Sequence, residues 1–159
     1  MEQERTVLLM KPDGVRRGLI GNVLTRLENK GLKVIGLKMM TVEDALVQEH
    51  YGHHADKPFF KTLKAYIQSA PIVAVCIEGI EAVKVVRALA GDTSGRKADI
   101  GTIRGDLCMS VQTNIVHSSG NPEEAEVEIK RFFKDDELFD YSKGNENLIY
   151  AEDEKDYRD

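Results

Sequence analysis

Thr6-Val7-Leu8-Leu9-Met10, followed at once by Lys11-Pro12-Asp13-Gly14, is the stretch that decides the fold. A short apolar run ended by a proline- and glycine-bearing tetrapeptide reads as a central strand running into a turn, because proline removes a ladder donor and glycine frees the backbone. Val34 to Met40 reads as a second strand and Pro71 to Ile77 as a third, bounded by Glu78-Gly79. Between them, Leu19 to Lys30 carries Leu19, Val23, Leu24 and Leu27 at helical spacing and is closed by Gly31. Thr41 resembles a helix cap with Asp44 three positions on, and Ala45, Leu46 and His50 continue that helix. Another helix is expected from about Pro58, in its first turn, to Gln68, and a further one from Ile80 to Leu89, stopped by Gly91.

Gly91 to Gly105 shows no period and reads as a long irregular loop, a feature more often functional than idle in a compact domain. Asn114 to His117 is a brief strand, and Asn121-Pro122-Glu123-Glu124 opens a last helix reaching about Phe133, with cap, proline and acids in their favoured places. The order β-α-β-(α-α)-β-α-loop-β-α predicts an α+β fold. We expect a ferredoxin-like α/β sandwich: a four-stranded antiparallel sheet (βαββαβ) with helices on one face, an inserted helical hairpin and a long loop before the last strand. A Rossmann or P-loop fold competes, but neither G-x-G-x-x-G nor G-x-x-x-x-G-K-[ST] is present.

The 159 residues, 42 % of them hydrophobic, fit one domain with one core, about 5–141, and an acidic extension, about 142–159. Gly144 to Asp159 is rich in charge, with five acids against one lysine and one arginine in its last nine residues, and reads as a solvated tail or a segment lying across a neighbouring subunit. Cys76 and Cys108 sit in apolar company and read as buried free thiols. With Glu2, Glu4 and Arg5 at the start and no long apolar stretch, the expected location is cytoplasmic, with no membrane partner. A net charge of −5 disfavours a general nucleic-acid binder, so any anion site must be a local gathering of cations and backbone N–H groups.

His117 stands near Asn114, Ser118 and Ser119 and just before a helix carrying Glu124, Glu126 and Glu128. A neutral imidazole is a capable nucleophile toward phosphorus, and a carboxylate on its other nitrogen would fix tautomer and orientation. Glu128, flanked by Val127 and Ile129, is the candidate carboxylate. Arg104, in a Gly-flanked turn with its fork unobstructed, and Arg87, on the helix of Val83, Val86, Ala88 and Leu89, suit a phosphoryl group because planar donors match its equatorial oxygens. Either arginine alone reads better as half of a surface ion pair. Thr93 lies in the loop between them. His50, His53 and His54 share helical spacing that invites a zinc reading, but Gly52 interrupts them and no thiolate partner is evident. Tyr51 and Phe59 read either as an aromatic wall for a base or as hairpin core.

Several of these strings together resemble the nucleoside diphosphate kinase family over residues 5 to 141. The most specific is Asn114-Ile115-Val116-His117-x-Ser119, matching that family's N-x-x-H-x-S signature. K-P-D-G at 11–14, H-Y at 50–51, P-F-F at 58–60, G-T-I-R-G-D at 101–106 and A-E-x-E-I at 125–129 follow in the family's order. The resemblance implies a ping-pong kinase in which His117 takes the γ-phosphate of a nucleoside triphosphate such as ATP or GTP on Nδ1 and passes it to a nucleoside diphosphate. It implies that Lys11 and Asn114 contact the ribose and the transferring phosphate, and that Arg87, Thr93 and Arg104 hold the β- and γ-phosphates. Phe59 would stack on the base, with Val111 on its other face and Leu63 beside it, giving broad base specificity. Tyr51, Glu128 and Ser119 match the shell around the histidine, and His54 falls where some members set a histidine against a phosphate. Mg2+ would arrive on the nucleotide rather than in a protein cage. A homo-oligomer, a hexamer built from dimers, is the implied assembly, with a tetramer the other possibility.

Three positions depart from the family's usual pattern. Gly120 stands where an aspartate commonly follows the serine, and Gly95 and Ile100 stand where prolines are common. The latter two are expected to loosen the 91–105 loop and weaken higher-order contacts. Two readings of another class are a catalytically silent regulatory or scaffold protein on the same fold, which the intact His117, Lys11, Arg104, Asn114 and Glu128 disfavour, and an RNA-recognition sandwich, whose basic aromatic sheet face is missing.

Overall fold

The computed structural model describes residues 3–155. Its elements are β1 (Gln3–Met10), α1 (Pro12–Arg16), α2 (Ile20–Asn29), β2 (Lys33–Met40), α3 (Asp44–Tyr51), α4 (Phe60–Ile67), β3 (Ile72–Ile80), α5 (Ala82–Ala90), α6 (Ile103–Leu107), β4 (Val116–Ser118), α7 (Pro122–Phe132) and α8 (Glu152–Lys155). The strands form one sheet in the order β2-β3-β1-β4, every neighbouring pair antiparallel. This is the expected ferredoxin-like sandwich, and it rules out the parallel doubly wound alternative.

The period-two alternation of β1 splits its side chains between two cores. Leu8 and Met10 join Val23 and Leu27 of α2 and Val86 and Ala90 of α5. Val7 and Leu9 join Val47 of α3, Ile67 of α4 and Phe132 of α7 on the opposite side. Helices therefore cover both faces, not the one face expected from the strand and helix order. The reason is that α7 and the hairpin carry their own apolar stripes, each of whose fully buried Leu, Ile or Val side chains contributes about 1.5–3 kcal/mol.

Several boundaries differ from the sequence reading. Lys11-Pro12-Asp13-Gly14 is not a plain turn: Pro12 starts the short helix α1, where its missing N–H costs nothing. Glu78 and Gly79 lie inside β3, which runs on to Ile80 because β1 is long enough to pair it to Gln3. The cap of α3 is Glu43 rather than Thr41, without a side-chain capping bond, and Pro58 precedes α4 instead of entering its first turn. Asn121 caps α7 as expected, its Oδ1 accepting from the Glu124 N–H at 2.8 Å. Ile103 to Gly105 belong to α6, so the irregular segment is shorter than it looked.

Gly95 does not slacken that segment. It is buried, its N–H donates to the Ser110 carbonyl at 3.1 Å, and a Cβ there would stand 2.3 Å from the Cys108 carbonyl oxygen. A proline could neither donate that bond nor fit that space, so glycine here permits the loop to dock. Ile100, by contrast, is largely exposed. Both cysteines are free and buried; burial, the largest influence, pushes the Cys76 thiol up to about 12.

The end of the core and the first part of the extension are docked on the sheet. Phe139 N–H donates to the Ile35 carbonyl at 2.8 Å, Tyr141 Oη to the Val34 carbonyl at 2.6 Å, and Lys143 Nζ to the Leu32 carbonyl at 3.1 Å. Ile149 fills the space above Gly31, whose φ of +99° and missing Cβ leave room for it. Through residue 150 the chain thus lies across its own β2–β3 end, where the sequence suggested solvent or a neighbour. Residues 156–159 of the acidic run, like Glu2, lie outside the described residues. Among the described residues no helix is long and apolar enough to cross a membrane.

Candidate active site

Strand pairing sets the centre of the site. β4 is short, and its register against β1 places His117 opposite Leu9 and Val116 opposite Met10. His117 therefore projects from the same sheet face as Leu9, into the space between the α3–α4 hairpin and α7. On α7 the residues Ala125, Glu128 and Phe132 fall at i, i+3 and i+7 and are buried together, which turns the Glu128 carboxylate inward. Val127, whose apolar character seemed to support this, faces outward. Nε2 of His117 lies 2.9 Å from Oε1 of Glu128, and Ser119 Oγ donates to Oε2 at 2.7 Å.

Burial works to raise the Glu128 pKa, but the hydrogen bonds and charge of His117 and Ser119 outweigh it and hold the group below the usual glutamate value. An ionised Glu128 accepts from Nε2–H, which leaves Nδ1 of His117 as the bare nitrogen. His50 stands edge-on to His117 with ring centroids 4.8 Å apart, and Tyr51 packs edge-on against His50 at 4.6 Å. Burial raises the Tyr51 phenol, so it stays protonated. A cavity of about 670 Å³ opens beside His117, lined among others by His54, Glu124 and Arg131.

A second network flanks the strand end. Lys11 Nζ donates to Asn114 Oδ1 at 2.6 Å, and Asn114 Nδ2 donates to the Thr93 carbonyl at 3.0 Å. Burial first, then the nearby Arg104 charge, lowers the Lys11 pKa to about 8. Arg104 is not the unobstructed fork expected. It is buried within α6 and donates to the carbonyls of Gly91 at 2.8 Å, Val116 at 2.7 Å and Asn114 at 3.3 Å. Three of its five N–H groups hold the backbone around His117, and two remain for a ligand.

The G-T-I-R-G-D string acts as an anchor for this arginine. Thr102 Oγ1 caps α6 by accepting from Gly105 N–H at 3.0 Å, and Asp106 pairs with Arg26 of α2 at 2.7 Å. Ile115, between Asn114 and the strand, has φ +72°, a left-handed value that strains a β-branched residue by about 1–3 kcal/mol. Asp13 holds it there. One of its carboxylate oxygens accepts from Ile115 N–H at 3.0 Å, and the other accepts from Tyr66 Oη. The Ile115 carbonyl in turn accepts from Lys11 N–H at 2.7 Å.

The remaining expected residues divide. Phe59 and Val111 are both about half exposed, and His54 lies beside Phe59 with ring centroids 5.3 Å apart. Leu63 packs against the hairpin-side core. Arg87 is exposed on α5 and lines a separate cavity with Asn121 and Pro122, although its charge is felt at Arg104. The three hairpin histidines do not converge on a metal. His50 is buried toward His117, whereas the rings of His53 and His54 lean on each other, tilted by 46° with centroids 3.9 Å apart. His50, His117 and Glu128 do bring ligand atoms within 4.8 Å, but Arg131 Nη1 donates to His50 Nδ1 at 2.8 Å, and a guanidinium there opposes a cation. Sequence reasoning missed Asp13, Arg131 and the part His50 plays. Asp13 was within sight, as an acid in a turn beside a strand end. At the Gly120 departure an acid is nevertheless present: Glu124 Oε2 accepts from Gly120 N–H at 2.9 Å.

Comparison with known proteins agrees with this geometry. The family model described as nucleoside diphosphate kinase matches residues 4–138. A nucleoside diphosphate kinase of Parabacteroides distasonis is 53 % identical over 151 residues, spanning 95 % of this chain and 99 % of that one. Among solved structures, a halophilic nucleoside diphosphate kinase from Halobacterium salinarum in complex with CDP superposes with a TM-score of 0.90 at 46 % identity, covering 94 % of this chain and 99 % of the other. A Borrelia burgdorferi nucleoside-diphosphate kinase with bound vanadate and ADP gives 0.86 at 35 % identity, covering 92 % and 96 %.

Proposed function

This chain belongs to the nucleoside diphosphate kinase family, and we propose a division of labour among its residues for the phosphoryl transfer that such an enzyme performs. The protein moves the γ-phosphate of a nucleoside triphosphate to a nucleoside diphosphate by way of a phosphohistidine. The observation that carries the mechanism is the 2.9 Å contact from His117 Nε2 to Glu128, which leaves Nδ1 bare. In the first half-reaction the Nδ1 lone pair attacks the γ-phosphorus, the bond to the bridging oxygen breaks, and the diphosphate leaves with those electrons. The imidazolium so formed keeps its Nε2–H on Glu128, whose carboxylate balances the new charge. The second half-reaction is the reverse, with another diphosphate as acceptor.

Lys11, Asn114 and the two spare N–H groups of Arg104 form the donor side facing the phosphates, with Thr93 and Arg87 at its outer end. These are nitrogen and hydroxyl donors suited to phosphate oxygens, and this fits Mg2+ carried on the nucleotide rather than gripped by the protein. When bound, the ion neutralises phosphate charge. Tyr51 and His54 border the cavity beside His117, Ser119 steadies Glu128, and Phe59 and Val111, with Leu63 behind them, would offer the base two apolar faces.

Because both exposed base-side residues are apolar, adenine, guanine and pyrimidine diphosphates should differ by no more than about 1–3 kcal/mol in kcat/KM. Steady-state transfer from ATP to a panel of diphosphates tests the reaction and its breadth together. No transfer to any acceptor would overturn the functional reading, and a several-thousandfold preference would reveal an unrecognised edge contact. Lys11 supplies a second expectation. It carries charge below its pKa of about 8 and loses it above, so kcat/KM should decline through an alkaline limb near that pH. Lys11→Arg, which stays charged, should move that limb upward by at least about one unit.

The assembly we propose is a cytoplasmic homo-oligomer, a hexamer built from dimers. β2 is an edge strand on which Leu37 and Met39 are exposed, and the 139–141 segment covers only its Val34–Ile35 end. Pairing with a symmetry mate would close the rest. Sedimentation equilibrium on dilution should show dimers before monomers; a stable, active monomer at every concentration would refute it.

A further inference from the structure

Arg131 takes no part in the phosphate chemistry, yet its guanidinium is held against the back of the site. It lies three residues after Glu128 on α7, with only 15 % of its side chain exposed. Its Nη1 donates to Nδ1 of His50 at 2.8 Å and its Nε stands 3.3 Å from Glu49. That same Nδ1 lies 3.9 Å from Oε1 of Glu128, the oxygen on which His117 Nε2 rests at 2.9 Å. One carboxylate oxygen therefore has two imidazoles within reach. A proton on His50 Nδ1 would make that ring a rival donor to Glu128, whereas an Nδ1 that accepts from Arg131 has no proton to offer.

We propose that Arg131 is a positioning residue that keeps Glu128 committed to His117 by occupying the Nδ1 lone pair of His50. The inference rests on His117 being the phosphorylated residue. Its consequence is kinetic: with Glu128 drawn toward His50, His117 loses the partner that fixes its Nε2–H tautomer and balances the charge formed on phosphorylation.

The surroundings of His50 are consistent. From its own hairpin it meets Glu49, Tyr51 and His53; from β4, His117; from α7, Glu128 and Arg131. Lys11 borders a small apolar cavity on its other side, and Glu123 and Glu124 line the large one. Burial is the main influence that lowers the His50 pKa, to about 3, followed by His117; Glu128 opposes them and Arg131 adds to them. Arg131→Ala removes the donor that keeps Nδ1 bare.

The test measures single-turnover labelling of His117 by ATP on the full chain from about pH 6 to about pH 8.5. We expect R131A to label at least about tenfold more slowly than the parent across this range, because a neutral His50 freed of Arg131 can carry its proton on Nδ1 at any pH and compete for Glu128. R131K, which still donates, should restore most of the rate, and the double change R131A with His50→Leu, which has no ring nitrogen to compete for Glu128, should recover it as well. A parent-like rate in R131A overturns the proposal, as does a loss that persists in the double variant. Should R131A fail to fold, the 15N shifts of the parent's His50 decide. An Nε2–H tautomer with bare Nδ1 down to about pH 6 supports the role, and a protonated Nδ1 overturns it. A parent that takes no label at His117 overturns the functional reading instead, and leaves the tautomer measurement to judge Arg131 on its own.

Discussion

Alanine at His117 is expected to reduce phosphoryl transfer by at least about 10⁴-fold, since the substitution removes the only atom positioned to form the covalent intermediate. The other three histidines offer no replacement. His50 is buried with its Nδ1 taken by Arg131, and His53 and His54 lean on each other at the edge of the cavity. Labelled ATP should give an acid-labile, base-stable phosphoprotein in the parent and none in the variant. Folding should survive, because Ser119 Oγ still donates to Glu128 and the lost contact is at a half-buried ring. Stoichiometric label in His117→Ala would place the nucleophile elsewhere.

The second large effect concerns Arg104 and reaches beyond chemistry. Arg104→Ala should lower turnover by about 10²-fold or more through loss of the cation that we propose faces the phosphates. It should also destabilise the fold by roughly 3–5 kcal/mol, because the carbonyls of Gly91, Asn114 and Val116 lose a shared charged donor in a buried place. Arg104→Lys should rescue little of this, since one ammonium cannot span three carbonyls in a plane. Urea unfolding beside single-turnover kinetics separates the two effects. An unchanged unfolding midpoint in Arg104→Ala would reduce the residue to an ordinary phosphate ligand.

That dual role was only half legible in the sequence. The strands and main helices could be read because their apolar periods are local, and the N-x-x-H-x-S string pointed to His117 before any coordinates. Glu128 could be read too, although the deciding signal is its spacing from Ala125 and Phe132 rather than its immediate neighbours. What could not be read were contacts that depend on close approach between distant segments. Gly95 looked like slack until the Cys108 backbone was found against it. Arg104 looked free until three carbonyls from two other segments closed on it. The second helical face was hidden for the same reason, because strand and helix order does not say which side of a sheet a helix returns to. Arg131 left no trace in sequence, since its meaning comes from a histidine 81 residues away.

The left-handed Ile115 has a consequence for turnover. A ping-pong enzyme must release one nucleotide and admit another at every half-cycle, so any ordering of the site on binding would be repeated twice per cycle. Here the bend at Ile115 is held by Asp13 and Lys11, and Asn114 is fixed between Lys11 and Thr93 by the chain's own hydrogen bonds. The unfavourable backbone angle is thus accepted once, during folding, and is shared among contacts that do not involve substrate. In the site we propose, nucleotide binding energy is then free to act on the phosphate in transit rather than on building the loop beneath it.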